Sequence, residues 1–407
     1  PSSVGSLREA GLVMGVSIGE VIARADAATD GLGHAASTRM QYRWAWSRFE
    51  RFCGEQGVAV FSDAAADAFV DFVTGEFGAG RFKQWKYKLL RKAVLVLSEV
   101  AATGSYRWSV ARAAGVDDRL DPAVRPVQER FVSWLAGLNL AAATVDLYAT
   151  VSRTVLGWLP GYGVVDVRKL TASDISAVVV FLSGSYRPGS MRSALSALRV
   201  WCRFIEQDGG LSGLSFAVPA TRVSRVRPVA VITAAEAEKL VATADPATPV
   251  GLRDRAILLL AARTGLRPSD ITGLRFGDID WRAAKITVSQ YKTGEPIVLP
   301  LLADVGDAIA AYLLSGRPGD DRSDRVFVRA KAPHVPLIAQ DLHYVTSRAF
   351  TRSGVKAHGG PGRGMRVLRA SLATRMLQAE TPLPVISGAL GHRGIGSVTL
   401  RGRRAAA

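Results

Sequence analysis

Apolar residues recur at helical spacing over most of the chain, and one short pair of alternating segments interrupts them. This predicts a mainly α protein with a small antiparallel β-sheet. One plan of helices appears in residues 37–116 and returns in 117–228, which predicts two tandem helical units ahead of a larger domain over 229–407. At 407 residues, the chain is long enough for cores of its own in each part. Hydrophobic residues make up 48% and charged residues 21%, which excludes a disordered chain. Lysine and arginine number 52 against 35 acidic residues, a net charge of +17 with a pI near 10.4. Such a balance implies a polyanion partner, nucleic acid first. Cys53 and Cys202 are the two cysteines, each inside an apolar helical pattern, and read as core residues of a reducing compartment. No apolar run approaches the roughly 18 residues of a membrane span, so no membrane is expected as a partner.

Residues 1–36, rich in Gly, Ala and Ser, read as a flexible N-terminal arm with a short helix from about Ser17 to Ala25. Thr38 then caps a helix whose apolar positions are Tyr42, Trp46, Phe49 and Phe52, ending at Gly57. A second helix, from about Ala64 to Phe77, carries Phe69, Phe72 and Val73. A third, from about Phe82 to Ala102, carries Trp85, Leu89, Leu90, Val94, Leu97 and Val100 on its apolar side. Its other face shows Lys83, Lys86, Lys88, Arg91 and Lys92.

After a linker at about Asp117–Pro126, Thr144 and Tyr148 repeat the spacing of Thr38 and Tyr42, and Ser152-Arg153 that of Ser47-Arg48. Leu170–Asp174 opens the next helix, and Arg187 to Gln207 forms a long basic one. In it Leu195, Leu198, Trp201, Cys202 and Ile205 face inward, with Arg187, Arg192, Arg199 and Arg203 around them. Any one of these arginines is what a solvated helix face carries. As a set, with Lys83 and Lys86, in a chain of this charge, they predict contact with DNA phosphates.

Gly209–Pro228 reads as a linker, and Thr233-Ala234-Ala235-Glu236 as a capping box that opens the last domain. An apolar helix over 249–262 stops at Gly265, with Arg267 in the following turn and Asp270 one helical turn on, placed to hold an arginine. Ile279–Val288 and Ile297–Leu301 read as paired strands with Lys292 at the tip. Helices follow at about 302–315 and 338–353, separated by loop and a short Val326–Val328 strand. The Gly359–Gly364 loop lacks a phosphate-loop pattern, so no nucleotide site and no cofactor is expected. Then come Arg366 and Arg369 at a helix start, and Leu390-Gly391-His392.

Two arginines, a lysine and a histidine converging on one point make a site for a phosphate, able to neutralise charge that builds on a phosphodiester during displacement. The order Arg267, Lys292, Arg369, His392 resembles the tyrosine recombinases, or phage-integrase family, over roughly residues 120–400. The resemblance implies tandem helical SAM-like DNA-binding domains, the second (117–228) being the core-binding one, and an α-rich catalytic domain, together clamping duplex DNA. It implies that Arg267 and Arg369 grip the non-bridging oxygens and that Lys292 protonates the 5′ leaving oxygen. His392 would assist and Asp270 would support the cluster. No metal or other cofactor is implied. Partners would be double-stranded DNA and further copies of the chain in a tetrameric synapse. The location would be cytoplasmic, nucleoid-associated and prokaryotic in type.

Two positions depart from the family. Arg366 stands where the family carries His or Lys, and it can donate a hydrogen bond but cannot act as a base. Arg401 stands where the nucleophilic tyrosine is expected, and the last tyrosine of the chain is Tyr344. Ser397 and Thr399 have no evident base. The catalytic domain is therefore expected to be truncated or altered at its C-terminal end, and a shifted reading frame near codon 400 is one account of this. The chain reads as a site-specific recombinase by descent, with a partner recombinase as a source of the nucleophile. The alternative is a non-catalytic DNA-binding relative that occupies recombination sites. A helical transcription regulator, the third option, leaves the four-residue coincidence unexplained.

Overall fold

A capping hydroxyl at the start or a left-handed glycine at the end marks at least one boundary of most long helices, as expected where capping satisfies orphan backbone groups. A computed structural model describes residues 16–106, 120–220, 229–291, 294, 296–319 and 323–391. Among them, 16–106 and 229–391 belong to one compact unit and 120–220 to another. Three hydrophobic cores organise them, one in each stretch.

The first core is built by α1 (Ile18–Gly31), α2 (Ala36–Glu55), α3 (Asp63–Gly78) and α4 (Gln84–Thr103). Ser17 caps α1 by accepting the Glu20 N–H, and Ile18, Val21, Ala25 and Thr29 are buried. The stretch 18–31 is thus packed helix and not part of a flexible arm, because four residues at helical spacing have a core to enter. Trp46, Phe49, Phe69, Leu90 and Leu97 fill the interior, and the Trp46 indole donates to the Ala93 carbonyl at 2.9 Å. Two residues expected in this core lie at or beyond its edge: Phe72 is 44% exposed, packed on Phe52 and Phe69, and Trp85 is 61% exposed. Trp85 lies in the first turn of α4, against the partly buried Trp44 of α2 and not in the core.

The second core is built by α5 (Arg125–Ala136), α6 (Ala142–Tyr162), α7 (Ala172–Ser185), α8 (Pro188–Gly209) and the short α9 (Leu214–Ala217). A reciprocal capping box of Thr171 and Asp174 starts α7. Pro188 starts α8 and Gly210, in the left-handed region, ends it. The long, short, long succession of α6, α7 and α8 repeats that of α2, α3 and α4.

The third core surrounds α11 (Pro249–Thr264), which is buried nearly all round. Against it pack α10 (Ala234–Ala242), whose expected capping box of Thr233 and Glu236 is formed, and α12 (Pro268–Gly273), α13 (Ala303–Ser315), α14 (Ala339–Ser353) and α15 (Met365–Gln378). A smaller cluster joins α15 to α16 (Leu383–Ala389).

The sheet has three antiparallel strands, β1 (Ile279–Asp280), β2 (Lys285–Ser289) and β3 (Pro296–Pro300), in sequential order. The single strand expected over 279–288 is therefore split. The Asp280 carboxylate accepts the N–H groups of Arg282 and Ala283, and Ala284 takes φ +49°, which turns the chain back on itself. The expected Val326–Val328 strand is instead pinned by single bonds on two sides, Val326 N–H to Leu274 O and Leu337 N–H to Phe327 O.

Candidate phosphate-binding site

Helix α11 ends at Gly265 because the backbone there turns left-handed, at φ +64°. A Cβ on Gly265 would lie 2.8 Å from Leu390 Cδ2 and 3.1 Å from Leu372 Cδ2, so three segments close on this point. Arg267 is the N-cap residue of α12, fixed by Pro268 at the first helical position. The helix carries Asp270 inward, where it is 1% exposed.

The two arginines meet at the Leu390–Gly391 turn. Arg267 donates from Nη2 to the Gly391 carbonyl at 3.0 Å. Arg369, 7% exposed on α15, donates from Nη1 to the Gly265 carbonyl at 2.6 Å and from Nη2 to the Leu390 carbonyl. Each guanidinium is thereby oriented by backbone that cannot rotate away. Arg267 Nη1 faces Asp270 Oδ2 at 3.7 Å, which is ion-pair range but beyond a hydrogen bond. It is buried and has no hydrogen-bond partner. The other Asp270 oxygen accepts the Tyr291 N–H at 3.0 Å, tying the end of β2 to the arginine cluster.

Gln290 is a site residue that motif reading missed. It is 2% exposed, and its side chain lies directly against Gly391, itself at φ +58°. A signal was present: Ile286, Val288 and Gln290 fall on one face by the period of two, and the first two are core. Ser371 was also missed; its hydroxyl accepts the Ile232 N–H at 2.8 Å and donates to the Val367 carbonyl, anchoring α15.

The structure thus brings together Arg267, Asp270 and Arg369. Arg366 is exposed in the first turn of α15, one turn before Arg369. Lys292, His392 and Arg401 lie outside the described residues, as do Ser397 and Thr399. Tyr344 lines a different depression, with Arg253, Arg329, Arg348 and Arg352. Among the described residues no cluster of three metal-ligating side chains occurs.

On the helical bodies, Arg187, Arg192 and Arg203 are exposed, and Arg192, Arg199 and Arg203 share one face of α8 at i, i+7 and i+11. Arg199 is partly occupied by the Val218 and Pro219 carbonyls at 3.0 and 3.2 Å. Lys83 is the exposed N-cap of α4, and Lys86 Nζ lies 3.6 Å from the centre of the Phe82 ring. Cys53 and Cys202 are both buried and unpaired, and burial pushes the Cys202 thiol up to about 12.

Residues 230–401 match the model of the phage integrase family. The "Putative integrase/recombinase y4gC" of Sinorhizobium fredii is 43% identical over 158 residues, which cover 39% of this chain and 80% of that protein. The tyrosine recombinase XerD of Lacticaseibacillus casei is 28% identical over 274 residues, covering 64% and 88%. A crystal structure of a lambda integrase (75–356) dimer bound to a COC' core site superposes with a TM-score of 0.53 at 19% identity, over 67% of this chain and 93% of that one. The chain belongs to the phage integrase family, the tyrosine recombinases. The likeness to lambda integrase is one of fold.

Proposed function

We propose that this chain binds duplex DNA and holds one phosphodiester between Arg267 and Arg369, as the phosphate-gripping half of a site-specific recombinase. The observation that carries this is the convergence of both guanidiniums on the adjacent Leu390 and Gly391 carbonyls, with the buried Asp270 carboxylate beside Arg267. Buried cationic donors fixed in advance stabilise charge developing on phosphorus without reorganising. In the reaction, a tyrosine oxygen attacks phosphorus, its bond to phosphorus forms as the bond to the 5′ oxygen breaks, and that oxygen takes up a proton. Lys292 is the proposed proton donor, His392 an assisting group, and Asp270 the residue that positions Arg267. Arg366 is a further donor to a phosphoryl oxygen. Self-association follows from this chemistry, because exchanging two duplexes takes four cleavages.

Arg401 at the nucleophile position favours a second reading, in which this chain occupies DNA without cutting it. Incubation with nicked duplexes carrying candidate sites, followed by denaturing electrophoresis, separates the two. Binding without a covalent adduct, by the chain alone, supports the second reading. An adduct that forms only when a tyrosine-bearing recombinase is added supports a donated nucleophile. Failure to bind duplex DNA at low salt contradicts both.

A further inference from the structure

The exposed Trp85 has no place in the phosphate site. It stands beside Trp44, ring centroids 6.4 Å apart and planes tilted by 35°. Cations lie over the Trp44 ring. Arg48 Cζ lies 5.5 Å from the Trp44 ring centre and Lys86 Nζ 6.0 Å from it, while Lys86 also caps Phe82. Along α2, Met40, Trp44, Arg48 and Arg51 follow one another at i, i+4, i+8 and i+11, one continuous face, and Met40 is 69% exposed. From Lys83, the N-cap of α4, to Lys92 the chain carries five basic residues and no acidic one.

A large aromatic exposed this far gives up favourable burial, and a protein-docking hot spot would sit in a less charged surround. Cations beside an exposed indole suit a ligand that is anionic and itself presents flat rings. Unpaired nucleotides have both properties, whereas paired bases keep their faces stacked inside the duplex. We propose that Trp85 and Trp44 form a stacking platform for the bases of single-stranded DNA, with Lys83, Lys86, Arg48 and Arg51 along its backbone. Exchange of strands between duplexes exposes such nucleotides, so the proposal extends the reading above, but it stands on the first helical body alone.

The test compares the full chain's affinity for short oligo(dT), for an equally long strand of abasic sites, and for a blunt duplex. The wild type should prefer oligo(dT) over the abasic strand. Trp85→Ala should lower oligo(dT) affinity by roughly five- to a hundredfold, the range of one lost base stack, and leave the abasic strand unaffected. Trp85→Phe should restore part of the loss. Lys86→Gln should weaken binding of both strands. Trp85 is exposed, so its replacement leaves the core intact, and an unchanged melting temperature verifies this. Equal affinity for oligo(dT) and the abasic strand overturns the proposal. So does a Trp85→Ala loss equally large on the duplex, which would assign these rings to double-stranded DNA. Unchanged oligo(dT) binding by Trp85→Ala overturns it as well.

Discussion

Gly391 is packed so closely on Gln290 that no side chain fits between them: a Cβ on Gly391 would fall well inside contact distance of the Gln290 amide. The same glycine offers its carbonyl to Arg267. Gly391→Ala therefore combines a left-handed backbone with a clash, and should destabilise by about 1–3 kcal/mol in urea unfolding while weakening DNA binding. Gly388→Ala, three residues earlier with open space around it, should be neutral or slightly stabilising.

Asp270 is fully buried at its side chain beside Arg267, which keeps 20% exposure. Removing the carboxylate strands a cation and frees the Tyr291 N–H. Asp270→Ala should cost up to roughly 3–5 kcal/mol, the lower end being favoured because Arg267 retains some water. Arg267→Ala leaves the carboxylate stranded in turn. The double variant should therefore be less destabilised than the sum of the two singles, as equilibrium unfolding would read directly.

Duplex affinity should fall steeply with salt, with a log–log slope of roughly −0.9 per phosphate neutralised. Reversing Arg192 and Arg203 to Glu should flatten that slope. Reversing Arg199 should also cost folding stability, since it is bonded to the Val218 and Pro219 carbonyls. A flat salt response in the wild type would remove the electrostatic account of DNA binding.

The Cys202 thiol, buried and raised to about 12, should resist a thiol reagent at mildly alkaline pH in the native protein. In urea it should react at the rate of an ordinary cysteine. Fast native labelling at Cys202 would mean that the second core opens.

Much of the architecture was legible because period and caps are local. The Thr233 box, the Gly265 stop and the alternation on either side of Lys292 are written in a few consecutive residues each. What was not legible depends on partners distant in sequence. Nothing within α4 reveals that Trp85 projects beyond its neighbours, and Asp280 splits a strand by a side-chain bond that alternation does not register. Within the site, charged residues announced themselves by motif. Gln290 did not, since its part is to fill space against Gly391.

In the proposed function, Arg267 and Arg369 together hold one phosphate. The most direct measurement is a crystal structure of the full chain grown or soaked in sulfate. The expected result is a tetrahedral anion within hydrogen-bond distance of the Arg267 and Arg369 guanidiniums, and its loss in Arg267→Ala with the fold retained. Sulfate bound at other basic surfaces and none at these two arginines, or guanidiniums turned to opposite sides of α11, would contradict this.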